Sequence, residues 1–345
     1  MNAISKQLIT VLTAGLGGWL VSRTGIPLGW MIGAMLATAA LALSKLPMQQ
    51  PSGVFNVVRA SVGAMLGTAF TLELITSFPQ WWASITGLLI AMAVMFGLAF
   101  VALRKVARFD RPSALLCSIP GGIAEMILLS ESAGADQTRV SIVHALRISL
   151  TILILPLLIS LTTGLSVSSA QAAEGVTFTV LDLFWFALSV GAGFLAKRYL
   201  KIPAPLVVAP MVVSGALHVS GVSGFVVPGA LSDAVQAFIG INVGGRFAGV
   251  TVKALSAVFG SAVLVVVVQI SVAYSAATLV AQSMGFDVLT MTLAYAPGGL
   301  AEMSLIAVAT DADPAVVGLH HVIRVLEALI AAPILLRIFQ EPNKN

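Results

Sequence analysis

The chain has 345 residues, 58% of them hydrophobic and 9% charged, with a formal net charge of +4 and one cysteine, Cys117. Runs such as 82–103 and 176–196 are nearly free of charge, which argues against a soluble domain and for a polytopic helical membrane protein, because helices satisfy their own backbone in lipid at about 20 residues per crossing. The charge sits in a few loops, so it reads as membrane orientation and not as a nucleic-acid surface, and a lone cysteine excludes an internal disulfide or a cysteine-based metal site.

Lys6 precedes an apolar run from Leu8 to Val21 with no small-x-small cleavage signal behind it, which predicts an uncleaved first span. Spans are predicted at 6–22, 27–44, 54–73, 81–103 and 139–163, with an interrupted segment near 112–133. A polar linker, SVSSAQAAEG, occupies 166–175. Beyond it, spans are predicted at 179–196, 203–219, 229–247, 254–280 and 315–338, with a second interrupted segment near 288–309.

The second set repeats the first. A shift of 177 carries Pro120 to Pro297, Gly121 to Gly298, Gly122 to Gly299, Glu125 to Glu302, Asp136 to Asp313, His144 to His321, Arg147 to Arg324 and Pro156 to Pro333. With one residue of slippage, IPLGWMIGAM at 26–35 answers IPAPLVVAPM at 202–211. Gly63 and Gly67 answer Gly240 and Gly244, at a spacing that signals close helix packing. Two tandem repeats, 1–165 and 176–345, follow.

Loop charge orients them. If each Pro-Gly-Gly segment re-enters on its own side, each repeat has about five transmembrane helices and the repeats are inverted. Lys45, the stretch 104–111, Arg139, the stretch 197–201, Arg246, Lys253 and the tail then all lie inside, with Arg23 the exception. Both termini are then cytoplasmic. The expected fold is an all-α polytopic membrane protein of two inverted repeats, each with a broken or re-entrant Pro-Gly-Gly helical hairpin.

Proline has no N–H and glycine tolerates unusual backbone, so Pro120-Gly121-Gly122 and Pro297-Gly298-Gly299 interrupt their helices and release backbone groups. At membrane depth such groups persist only where protein or a wet cavity satisfies them, and paired broken helices mark secondary-transporter binding sites. The glycine N–H groups would face a ligand. Glu125 and Glu302 read either as helix-start carboxylates or as proton- or cation-binding groups. His144 with Arg147, and His321 with Arg324, share helix faces at i, i+3 spacing. They serve either as counter-charge to an anionic substrate, with histidine relaying protons, or as ties on the hairpin carbonyls. Glu327 offers Arg324 a partner. Asp136 and Asp313 read as helix caps.

PLGWMIGAM, the two Pro-Gly-Gly segments, the AGAD and TDAD that follow them, and the HALR and HVIR helices together resemble the duplicated bacterial AbrB-type membrane family. That family is labelled as an ammonia monooxygenase or as a regulator. The resemblance implies a multi-pass inner-membrane protein and carries over no catalytic residue.

The expected function is secondary transport of a small, anionic organic solute, ion-coupled, by alternating access around the two broken helices. The alternatives are an indirect effect on gene expression and, last, a membrane monooxygenase, for which four histidines split between the repeats are a poor metal set. No phosphate-binding GxxxxGK[ST] loop occurs. No enzymatic activity, cofactor or metal is expected. The expected partners are a small-molecule or ion substrate and the lipid bilayer, not nucleic acid, and a homo-oligomer is compatible with this reading.

Overall fold

The computed structural model describes residues 2–72, 76, 81–163, 178–310 and 312–339, so the linker expected at 166–175 lies outside the described residues. Among them the chain forms fourteen α-helices and one 3₁₀ turn, and no strand. The first half runs α1 (Ala3–Ser22), α2 (Gly29–Leu43), α3 (Ser52–Gly67), α4 (Trp81–Lys105), α5 (Arg111–Ser118), α6 (Ile123–Ala133) and α7 (Gln137–Thr163). The second runs α8 (Val180–Tyr199), α9 (Pro205–Val219), α10 (Gly229–Gly244) with the 3₁₀ turn Gly245–Phe247, α11 (Val252–Met284), α12 (Val288–Tyr295), α13 (Leu300–Ala309) and α14 (Pro314–Phe339). The second series repeats the order of the first, helix for helix.

Six helices are long and apolar enough to cross a membrane: α1, α4 and α7, and their counterparts α8, α11 and α14. The other four predicted spans, 27–44, 54–73, 203–219 and 229–247, are shorter helices of 15 or 16 residues. Helices α2 and α9 start two residues later than expected, while α3 and α10 end early, at Gly67 and Gly244. Helices α2 and α9 begin only after a left-handed residue, Leu28 (φ 58°) and Ala204 (φ 45°). Such backbone is strained for residues other than glycine, by about 1–3 kcal/mol. Helices α3 and α10 begin after prolines, Pro51 and Pro228, at equivalent positions.

The chain divides into two compact units, each drawing on both halves of the sequence. The first comprises Met1–Trp81, Ile152–Gly249 and Leu300–Leu319. Within it α1 packs on α2 and α8 on α9, while α2 also packs on α10 and α9 on α3. Glycines make the last two approaches close enough for backbone contact. A Cβ on Gly63 would lie 2.3 Å from the Val207 carbonyl oxygen, and one on Gly67 2.6 Å from that of Met211. Reciprocally, a Cβ on Gly240 would lie 2.4 Å from the Met31 oxygen, and one on Gly244 2.3 Å from that of Met35. Each half thus lends a glycine face to the same helix of the other half. Ser214 adds a hydrogen bond to the Ala64 carbonyl at 2.8 Å.

The second unit comprises Trp82–Thr151, Val250–Gly299 and His320–Asn345, and contains both Pro-Gly-Gly loops. Its short arms start from equivalent caps: Asp110 accepts from the Ser113 N–H before α5, and Asp287 from the Thr290 N–H before α12. The caps expected at Asp136 and Asp313 are present, on the N–H groups of Arg139 and of Ala315 and Val316.

Substituting Gly63→Leu or Gly240→Leu drives a side chain into a carbonyl that cannot retreat. We expect destabilisation beyond the roughly 1–3 kcal/mol of ordinary overpacking, read as a lowered thermal midpoint in detergent. Gly15→Ala, with nothing within 4 Å of its Cβ position, should leave the midpoint unchanged or raise it.

Candidate functional site

The two Pro-Gly-Gly segments interrupt their helices, and the breaks are built alike. Helix α5 ends at Ser118 and α6 starts at Ile123; α12 ends at Tyr295 and α13 starts at Leu300. Without an N–H, Pro120 cannot bond the Leu116 carbonyl four residues back, nor Pro297 that of Leu293. Tight turns close each break, the Gly121 N–H donating to the Ile119 carbonyl at 2.8 Å and the Gly298 N–H to that of Ala296 at 2.9 Å. Two of the four glycine amides that the sequence offers to a ligand are therefore engaged within the loops.

The carbonyls left over are met by the helix that follows. His144 Nε2 donates to the Leu116 carbonyl at 3.0 Å, replacing the donor that Pro120 lacks. Arg147 spans the break, with Nη1 donating to Ile119 at 3.1 Å and Nη2 to Gly121 at 3.0 Å. The second copy is identical in pattern. His321 Nε2 donates to the Leu293 carbonyl at 2.9 Å, and the Arg324 guanidinium donates to Ala296 and Gly298. All four side chains are buried, none more than 2% exposed. A carbonyl bond requires the histidine proton on Nε2 in both copies. Of the two roles open to these residues, the geometry displays the tie on the hairpin. An unmet carbonyl in an apolar interior costs about 1–3 kcal/mol; each His-Arg pair serves the carbonyls of Leu116 and Gly121, or of Leu293 and Gly298, and adds a second donor to that of Ile119 or Ala296.

Gly122 is not required by an unusual φ. Gly122 has φ −70° and ψ 143°, which any residue adopts. A Cβ on it would lie 2.0 Å from Oε2 of Glu125, whose carboxylate folds back over the start of its own helix. Glu125 is exposed, whereas Glu302 is 7% exposed in the first turn of α13. Identical motifs thus set their carboxylates in unlike surroundings.

Two residues outside the repeated pattern gain importance. Arg246, read from sequence as a loop charge that orients the chain, lies in the 3₁₀ turn after α10. It is within electrostatic reach of Glu302 and of Arg59. Its Nη1 is buried and meets no acceptor among the described residues. Its first-repeat equivalent is Ala69, so repeat matching could not single it out. Glu327, expected beside Arg324, has a buried Oε2 without a donor among the described residues. His320 points away from its neighbour His321: its Nε2 shares a hydrogen bond of 3.0 Å with the Ser84 hydroxyl, and Tyr295 donates to the Ser84 carbonyl.

If His144 replaces the missing proline N–H, the two residues must be energetically coupled. His144→Phe should cost about 1–3 kcal/mol in an unfolding titration. In a Pro120→Ala background, where residue 120 regains its donor, the same change should cost less by about 1 kcal/mol. Arg147→Lys and Arg324→Lys should also destabilise, because an ammonium lacks the fork that reaches two carbonyls.

The chain matches the family described as "Transition state regulatory protein AbrB" over residues 30–340. It is 28% identical over 356 aligned positions to "Uncharacterized protein YhjN" of Bacillus subtilis strain 168, covering 95% of this chain and 91% of that one. It is 22% identical over 318 positions to "Putative regulator AbrB" of Escherichia coli strain K12, covering 90% of each. With the family match extending over residues 30–340, the chain is a member of the AbrB family, and among its described residues six helices are long and apolar enough to cross a membrane.

Proposed function

We propose that this protein is a secondary transporter of a small anionic organic solute, ion-coupled, working by alternating access at the two interrupted helices. The observation that carries this reading is the pair of broken apolar helices, each bridged by a buried His-Arg pair from the helix behind it. Broken helices at membrane depth recur where transporters hold substrate and coupling ion. Intact helices would leave no reason to bury two guanidinium groups at such desolvation cost.

Roles follow from charge. The starts of α6 and α13, at Gly122 and Gly299, present positive dipole ends to an anion. Arg246, in the same compact unit as Glu302, supplies a formal positive charge for an anion. Glu302, buried within electrostatic reach of Arg246, is the coupling carboxylate, since protonating it or pairing it with a cation frees Arg246 for the substrate. Glu125, being exposed, retains the helix-start role. The repeats are inverted in the membrane, with both termini cytoplasmic. Under this reading the solute crosses unchanged and the protein performs no chemical transformation. The relatives' names point to regulation, which under this reading is an indirect consequence of what is transported.

Purified protein in liposomes should accumulate a small organic anion only under an imposed ion gradient. Glu302→Gln should uncouple uptake from the gradient, and Arg246→Gln should abolish substrate binding, with partial recovery in Arg246→Lys. Gradient-independent uptake in the wild type, or unaltered uptake in both variants, would refute the assignment. With Cys117 replaced, single cysteines in the 104–111 and 164–178 loops should label from opposite membrane faces, and labelling from one face would refute the inversion.

A further inference from the structure

The second unit holds a partly open cavity of about 550 Å³. Its walls come from α4, from the first break and from α14, and include Leu89, Met92, Phe96, Pro120 and Ile330. The one ionisable side chain in the lining is Glu327. Leu89, Ile330 and Ile334, at the rim, are 40%, 63% and 50% exposed, so the mouth is apolar on its outer side. Glu327 stands where the first repeat has Leu150, so the duplication does not account for it. Arg324 lies within electrostatic reach of Glu327, but its guanidinium donates to the Ala296 and Gly298 carbonyls, and Glu327 Oε2 meets no donor among the described residues.

A carboxylate in a hydrocarbon wall needs a counter-charge or a proton. A bare metal ion does not suit this wall, because a hard cation requires several oxygen ligands and the lining side chains offer one carboxylate. A proton would satisfy the carboxylate and leave the cavity unexplained. A single ligand that accounts for both has an apolar body and one positive charge, and the volume lies in the range of small-molecule sites. Phe96 adds an aromatic wall that favours a cation.

We propose that this cavity is a binding site for a lipophilic organic cation, entering from the hydrocarbon phase, with its charge against Glu327 and its apolar body between α4, α14 and the first break. The site is separate from the anion path proposed above and stands or falls independently of it. An occupant would rest on Pro120 and so touch the break that the His144–Arg147 pair holds.

The test is equilibrium dialysis of radiolabelled tetraphenylphosphonium against the full-length protein in detergent. Wild type should bind saturably, at about one cation per chain. Glu327→Gln should weaken binding about tenfold or more, the scale of a desolvated charge pair, and Glu327→Asp should recover part of it. Ala93→Phe fills the cavity while keeping the carboxylate and should also weaken binding. The neutral triphenylphosphine oxide should bind wild type and Glu327→Gln alike. Unchanged thermal midpoints would certify that the variants are folded. Equal affinity for the cation in wild type and Glu327→Gln, or undiminished binding in Ala93→Phe, overturns the proposal. Since no transport is measured, failure of the anion-transport reading leaves this result intact.

Discussion

A helix broken inside an apolar environment must find donors for the carbonyls it releases, and the site in this chain is built around that demand. Pro120 and Pro297 each cancel one backbone bond, and the turn after each exposes two more oxygens. Water cannot serve in hydrocarbon. The donors therefore come from one face of the next helix, where a histidine and an arginine at i, i+3 spacing reach three oxygens at the break, one of which also accepts from the turn's own glycine N–H. Arginine suits the task because its planar fork spans two acceptors two residues apart.

That solution is costly twice over, since each copy also buries a cation. A purely structural chain would do better with an unbroken helix, as replacing buried ion pairs by apolar side chains often shows. Retaining two such breaks makes sense where the interrupted backbone itself has a task. The arms that end at the breaks are short, eight residues for α5 and for α12, and so hold few hydrogen bonds of their own. They depend on capping aspartates at one end and on the His-Arg pair at the other.

Duplication supplies the scaffold and departures from it supply the chemistry. The contacts of Gly63 and Gly67 with α9, and of Gly240 and Gly244 with α2, set the two halves in a reciprocal packing relation. Arg246, Glu327 and the unlike burial of Glu125 and Glu302 break that relation. Residues present once are where two otherwise equivalent halves come to differ. Arg246 Nη1 and Glu327 Oε2 are among the buried side-chain atoms that meet no partner among the described residues.

The residues alone determined the helical membrane class, the duplication and the location of both breaks, because composition, a constant shift of 177 and the missing proline donor are local properties of the chain. They also determined that His144, Arg147, His321 and Arg324 belong with the breaks, though not which role they fill. Tertiary structure decided that these side chains bond carbonyls, since the acceptors lie 26 and 28 residues away and spacing cannot register them. It decided that four expected spans are helices of 15 or 16 residues, two starting late after left-handed residues and two ending early at Gly67 and Gly244, which apolar runs conceal. It decided that Glu302 is buried while Glu125 is exposed, and that Arg246 belongs beside Glu302 and not merely in a loop. Burial and electrostatic company depend on which distant helices converge, and an identical motif carries no record of that.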